Sequence, residues 1–263
     1  MKLVAALAVI AALILAYYNF KGGTNNPSDE PGTGKEPAPQ VDKYAYLREG
    51  LIYWGRFNGN AKDESGNGNH GEVNGPRLTA DRHGKTNSAY SFDGTDDFID
   101  LGDKPAFDFG TGDFTISLWF QASGNQLNKY IIGKYHGTNP PAFAIGTHDQ
   151  APSTGETKAY VTLIDGGESI SVEAKGTSNM GDGDWHHMLV VFDRDEKMSI
   201  YLDGTLEVSS AISGEQESIS NDSNLYIGKI SSGQHFGGKI DDIRIYNRTL
   251  SKGEVKELYN LER

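Results

Sequence analysis

From residue 46 to the C-terminus, apolar positions recur in short alternating runs broken by small polar turn residues. A period of two places successive side chains on opposite faces of a strand. The pattern predicts strands at 51–57, 88–92, 98–101, 114–120, 130–133 and 142–145. It predicts more at 159–164, 169–174, 185–192, 199–202, 225–227 and 238–246. Asp93-Gly94, Asp165-Gly166, Asp182-Gly183 and Asp203-Gly204 separate them, and Asp-Gly accepts the positive φ that hairpin turns demand. Many short strands at this spacing predict an all-β sandwich of antiparallel sheets or a barrel. No βαβ alternation is present, which excludes a doubly wound fold. One helix is predicted, at the C-terminal end. Ser251 and Glu254 have capping-box spacing, and Val255, Leu258 and Tyr259 then form a short apolar stripe.

The N-terminal pattern is different. Lys2 precedes an uncharged run over 3–20, which as a helix spans ~27 Å at ~1.5 Å per residue. That is close to the ~30 Å hydrocarbon core of a bilayer. The end of the run lacks the small residues of a cleavage site and instead offers Tyr17, Tyr18 and Phe20, which suit a membrane interface. Residues 1–21 are therefore expected to be a membrane anchor, with a cleaved signal segment as the alternative. Either way the remainder is exported, as a single-pass protein of the cell membrane with its C-terminal domain outside, or as a secreted protein. Residues 22–45 are rich in Pro and Gly and nearly free of apolar side chains, so they are expected to form a disordered linker. Residues 46–263 form the domain.

Composition narrows the function classes. Lys plus Arg is 24 against 36 Asp plus Glu, a net charge of −12, which argues against a nucleic-acid partner. Gly is 33 of 263, consistent with many tight turns. There is no Cys, which excludes disulfides, thiolate metal sites and a Cys nucleophile. An exported domain of this kind relies on core packing, with a hard cation such as calcium as one available support.

Several blocks resemble a known family. Leu51-Ile-Tyr-Trp-Gly-Arg-Phe57 and Ala61-Lys-Asp63 are followed in order by Tyr90-Ser-Phe-Asp-Gly-Thr-Asp-Asp-Phe98, Phe114-Thr-Ile-Ser-Leu-Trp-Phe120 and Gly183-Asp-Trp-His-His187. Ile200-Tyr-Leu-Asp-Gly204, Tyr226-Ile-Gly228 and Gly238-Lys-Ile-Asp-Asp-Ile-Arg-Ile-Tyr-Asn247 close the series. Together they resemble a laminin-G-like domain of the concanavalin A-like lectin/glucanase superfamily. The resemblance implies a jelly-roll sandwich of two antiparallel sheets. It also implies a glycan-binding or adhesion module of a secreted or surface protein, though a fold alone does not fix function.

Candidate sites follow from residue chemistry. Asp63, Ser65, Asn67 and Asn69 alternate around Gly66 and Gly68, a spacing that turns several oxygens toward one centre. The twelfth position is Asn74 rather than a bidentate Glu, so this is no EF-hand. Asp241 lies in the last strand, where period two groups it with Ile243 and Ile245 on the core face. A buried carboxylate requires a partner. A structural calcium held by Asp63, Asn67 and Asp241 is one expectation; a hydrogen-bonded Asp241 without metal is the other. Trp54, Trp119 and Trp185 occupy strand blocks and are read as packing residues, which leaves sugar platforms to loops. Tyr135, His136, Phe143 and His148 fall in the Gly- and Pro-rich stretch 133–150 and, with Tyr160, are the candidate ligand-binding residues. His186 and His187 are adjacent and so cannot chelate together from one strand face.

No catalytic residue is assigned. The strand motif Glu-x-Asp-x-x-Glu of glucanases is absent, as is Gly-x-Ser-x-Gly. The expected function is non-catalytic recognition of a glycan or glycosylated surface polymer. The alternative is a protein-interaction or structural surface module, and a glycoside hydrolase is a remote third.

Overall fold

The computed structural model describes residues 43–122, 129–135, 142–148, 157–165, 168–173, 179–212, 217–230 and 233–263; of residues 148, 165 and 168–173 it describes the backbone only. The N-terminal run 3–20 and the linker up to residue 42 lie outside these. Among the described residues no helix is long and apolar enough to cross a membrane. Lys43–Arg263 is one compact unit.

Its strands, in chain order, begin with β1 (Leu51–Gly55), β2 (Glu72–Asn74), β3 (Arg77–Thr79), β4 (Ala89–Asp93) and β5 (Phe98–Asp100). Next come β6 (Phe114–Ala122), β7 (Lys129–Lys134), β8 (Ala142–His148), β9 (Lys158–Asp165) and β10 (Glu168–Glu173). The series ends with β11 (His186–Asp193), β12 (Lys197–Leu202), β13 (Thr205–Ala211), β14 (Leu225–Ile227) and β15 (Gly237–Tyr246), before helix α1 (Lys252–Glu262). The first sheet runs β13-β12-β11-β6-β15-β4-β3, with β1 also paired to β15. The second runs β10-β9-β8-β7-β14-β5-β2. Every pairing between these strands is antiparallel. This is the predicted sandwich. β2, β3 and β13 escape the hydrophobic pattern because their side chains are mostly exposed or half-buried, and all three lie at sheet edges.

The main core lies between the sheets. Phe114, Ile116, Leu118 and Phe120 of β6 meet Ile132, Phe143, Ile145 and Val161 of the second sheet there. The first sheet is also covered on its other face. Leu189, Val191, Tyr201 and Tyr246 pack against Val255 and Leu258 of α1. That double burial explains why β6 and β11 are buried almost throughout rather than alternating. The predicted capping box is present: Ser251 Oγ accepts from Glu254 N at 3.3 Å, and Ser251 N donates to Glu254 Oε2 at 2.8 Å.

One parity expectation is overturned. Between Asp241 and Arg244 the pairing of β15 with β6 shifts, and Asp242 adopts φ 43°. This bulge inserts an extra residue. Ile243 and Ile245 face the main core, but Asp241 pairs with Trp119 and so lies on the opposite face, under α1.

Candidate functional site

Asp241 is 2 % exposed and is neutralised from an unforeseen direction. Arg82, in the loop after β3, donates Nη1 to Asp241 Oδ2 at 2.8 Å and Nη2 to Asp242 Oδ2 at 2.9 Å. Its Nε donates to the Glu262 carbonyl at 2.6 Å, and its guanidinium lies 4.6 Å from the Trp119 ring centre. Asp241 Oδ1 accepts from Asp242 N at 2.8 Å. Glu262 completes the group: its carboxylate takes Trp119 Nε1 at 2.9 Å and pairs with Arg244. Burial, aided by Asp242 and opposed by Arg82, pushes the Asp241 carboxyl up to about 8. Burial likewise pushes Glu262 up to about 7 against the pull of Arg244.

These carboxylates border a cleft of about 380 Å³ whose mouth is formed by Trp54, Arg56, Asn58, Asp81, His83 and Lys85. Paired carboxylates in a cleft are what a glycosidase requires. Here, however, Arg82, Arg244, Trp119 and the Asp242 amide engage the oxygens of Asp241 and Glu262, so their chemistry is that of a structural cluster. Ser117 Oγ and His187 Nε2 lie 2.8 Å apart, but both residues are fully buried. His187 Nδ1 has no hydrogen-bond partner among the described residues, so no carboxylate orients the ring as in a nucleophilic triad.

Asp63 is held by the backbone. Its Oδ1 accepts from Trp54 N at 3.0 Å and Ser65 N at 2.8 Å, and its Oδ2 from Asn69 N at 2.9 Å. Burial works to raise its pKa, but these hydrogen bonds outweigh it and the carboxyl sits below the usual aspartate value. Asn67 donates Nδ2 to Leu51 O at 2.9 Å. Asp63 and Asp241 are thus satisfied by different partners, the first by amides and the second by a guanidinium. Elsewhere, Asp93, Asp96 and Asp97 bring carboxylate oxygens within 4.8 Å of one another.

The sequence candidates for ligand contact separate. Phe143 is a correction: it is 1 % exposed and packs 5.2 Å from Phe114 in the main core. The chain is already in strand at Ala142, and the alternation that follows turns Phe143 and Ile145 inward. His136 and the side chain of His148 lie outside the described residues. Tyr135 and Tyr160 are half-buried and gather near Tyr130, which the sequence had not singled out. Burial first, then the nearby Tyr160 and Tyr135 phenols, push the Tyr130 hydroxyl up to about 12.

Tyr130 belongs to a longer aromatic stripe on the face of the second sheet turned away from the first. Tyr130 and Tyr160 meet edge to face at 6.4 Å. A parallel bridge joins Tyr130 to His235, whose ring is 6.5 Å from Phe98. Phe98 meets Tyr226 edge to face at 5.7 Å, and Lys229 Nζ lies 3.6 Å from the Phe98 ring centre. Burial lowers the Lys229 pKa against the pull of Asp100. Asp100 also accepts from Asn224 Nδ2 at 2.8 Å. All five rings are half-buried. Each of Phe98 and Tyr226 sits beside a fully buried residue, Ile99 and Leu225, and therefore occupies the outward parity.

The family model of the concanavalin A-like lectin/glucanases superfamily matches residues 93–256, more than half of the chain. The chain belongs to that superfamily. Among curated proteins it is similar to the adhesion G-protein coupled receptor V1 of Danio rerio, 26% identical over 150 residues, which span 56% of this chain and 2% of the receptor. Among solved structures it is similar to the binding domain of Paraclostridial Mosquitocidal Protein 1, with TM-score 0.67 and 21% identity over 82% of this chain and 53% of that one. Domain 4 of AbnA, a GH43 extracellular arabinanase from Geobacillus stearothermophilus solved with arabinotriose, gives TM-score 0.60 and 19% identity over 80% of this chain and 98% of that one. The botulinum neurotoxin serotype G binding domain gives TM-score 0.60 and 19% identity over 81% and 51%. The chain spans about half the length of the two toxin binding domains and a small fraction of the receptor. Identities this low carry the fold of this superfamily member and nothing further.

Proposed function

We propose that this superfamily member is a non-catalytic glycan-recognition module held outside the cell, with residues 3–20 as its membrane anchor. The observation that carries the reading is the aromatic stripe Tyr160–Tyr130–His235–Phe98–Tyr226. Half-exposed rings present apolar faces to the C–H faces of a sugar, while Lys229, Asp100 and Asn224 supply charged and amide hydrogen bonds beside them. A stripe crossing several strands suits an extended chain of sugars rather than one deep-bound residue. The fold shared with a domain of an arabinanase solved with arabinotriose and with toxin binding domains is compatible with this reading. The engagement of the buried carboxylates by protein donors supports binding in place of chemistry.

The test is a glycan array probed with the full chain, with a Tyr130→Ala, Phe98→Ala variant alongside. Binding at ~100 µM or tighter, about 5.5 kcal/mol, that the variant loses is the expected result. A chain that binds no glycan but captures a surface protein would replace this reading with a protein-adhesion module.

A further inference from the structure

The cleft on the first sheet is on the other side of the molecule from the aromatic stripe and has a different chemistry. Trp54 lies on the outward face of β1, paired in register with Arg244. Its ring is half-buried, and its Nε1 donates to Asp242 Oδ1 at 3.3 Å, which fixes the indole at the cleft wall. The Arg244 guanidinium lies 4.4 Å from the ring centre and is anchored by Glu262. The Arg56 guanidinium lies 4.9 Å from the same ring and is held loosely. Its side chain is 44 % exposed, and its ion-pair partner Glu64 stands 3.5 Å away, itself exposed. Such a pair contributes little and yields readily to a better one.

Lys85 is the second cation at the mouth. Its Nζ donates to a neutral acceptor, Asn58 Oδ1, at 2.6 Å, and among the described residues no carboxylate is paired with it. The acid of the same loop, Asp81, is turned toward its own backbone, where Oδ1 accepts from His83 N and Lys85 N, both at 2.9 Å. At the floor, the guanidiniums of Arg82 and Arg244 are taken by three carboxylates, Asp241, Asp242 and Glu262. The floor cations are therefore committed, while two exposed cations, Arg56 and Lys85, line the cleft with Trp54 in a chain whose net charge is −12. The cleft volume, about 380 Å³, lies within the usual range of small-molecule sites, ~300–1,000 Å³.

We propose that this cleft is a second saccharide site that takes a carboxylated sugar, its ring in the cleft beside Trp54 and its carboxylate between Arg56 and Lys85. The dense polar lining favours a hydroxylated ring over an aliphatic or aromatic acid, because each buried polar group then keeps a hydrogen-bond partner. A guanidinium that leaves an exposed Glu64 for a partly desolvated carboxylate gains a stronger, bidentate bond.

The test titrates the full chain, held in mild detergent, with sodium D-glucuronate, D-glucose and sodium acetate. Tryptophan fluorescence and saturation-transfer NMR are the readouts. Glucuronate is expected to bind at least tenfold more tightly than either control. An Arg56→Ala, Lys85→Ala variant, both positions being exposed enough to leave the fold intact, is expected to remove that preference. Tyr130→Ala on the opposite face is expected to leave it unchanged, which separates this site from the aromatic stripe. Three results would overturn the proposal: no glucuronate binding, equal binding of glucuronate and acetate, or a preference for glucuronate that survives loss of both cations.

Discussion

Arg82 neutralises Asp241 across 159 residues of sequence, with Nη1 2.8 Å from Oδ2, at the bulge where β15 admits an extra residue. The same guanidinium reaches Asp242 and the last turn of α1, so one side chain ties the loop after β3, the final strand and the C-terminal helix together.

Loss of Arg82 therefore leaves two carboxylates without their cation, one of them almost fully buried. Breaking a buried pair from one side costs roughly 3–5 kcal/mol. Above pH 8, where Asp241 is ionised, Arg82→Leu is expected to lower the urea midpoint strongly. Adding Asp241→Asn to that variant is expected to restore part of the loss, because the orphaned charge is then gone. A double variant no more stable than Arg82→Leu alone would count against the pairing.

The same cluster sets a pH dependence. Asp241, ordinarily 3.8, is pushed up to about 8, and Glu262, ordinarily 4.5, up to about 7, both chiefly by burial. The folded chain thus binds more protons than the unfolded one across this window. The associated stability is complete at pH values below the ordinary carboxyl pKa values and is lost as pH rises through about 7 and about 8. His187 works in the other direction. Burial lowers its pKa from 6.5 to about 3, so the unfolded chain takes up a proton that the folded chain refuses, and stability falls as pH drops below 6.5. In urea denaturation across pH, Glu262→Gln is expected to flatten the alkaline limb. His187→Leu is expected to flatten the acid limb by up to ~1.4 kcal/mol per pH unit. Limbs identical to those of the parent chain would contradict these assignments.

The sandwich was legible because period-two alternation and Asp-Gly turns are local signals. The C-terminal helix was legible for the same reason, through Ser251 and Glu254. The bulge was not. Nothing near Asp241 announces that Asp242 takes φ 43°, and one inserted residue reverses the face of everything before it. Arg82 was missed because its partners lie far along the chain. Phe143 was misplaced although its strand was expected at 142–145: it was grouped with the Gly- and Pro-rich stretch 133–150 as a ligand residue, and the inward parity it shares with Ile145 was not used. The aromatic stripe did carry a signal: Phe98 and Tyr226 are aromatic at the parity opposite to Ile99, Leu225 and Ile227.

Asp63 offers a direct contrast between a hydrogen-bonded loop and a cation-bound one. Its carboxylate accepts three backbone amides from Trp54, Ser65 and Asn69. Asp63→Ala orphans these donors, of which Asn69 belongs to a buried residue and Trp54 and Ser65 to half-buried ones; a donor left buried without a partner costs about 1–3 kcal/mol. The melting temperature of this variant is expected to fall by the same amount with calcium or with a chelator. If calcium raised the melting temperature of the parent chain and not that of Asp63→Ala, a cation at the Asp63, Asn67 and Asp241 region would be supported instead.

The stripe makes a graded prediction. Its rings meet edge to face and stay half-exposed, so truncating one ring removes contact area without opening the main core. Aromatic anchors at binding surfaces commonly cost ~2 kcal/mol or more on truncation, roughly thirtyfold in affinity, while peripheral contacts cost far less. With Lys229 poised over Phe98 and Tyr226, the Phe98 end is the better supplied with hydrogen-bonding groups. Phe98→Ala is accordingly expected to weaken binding of a glycan identified on the array more than Tyr160→Ala does. Isothermal titration with an oligosaccharide and with its shortest bound unit separates the two ends. If Tyr160→Ala affects only the longer ligand, the sugar chain runs along the stripe from Phe98 outward. If both variants affect both ligands equally, the rings act as one compact platform.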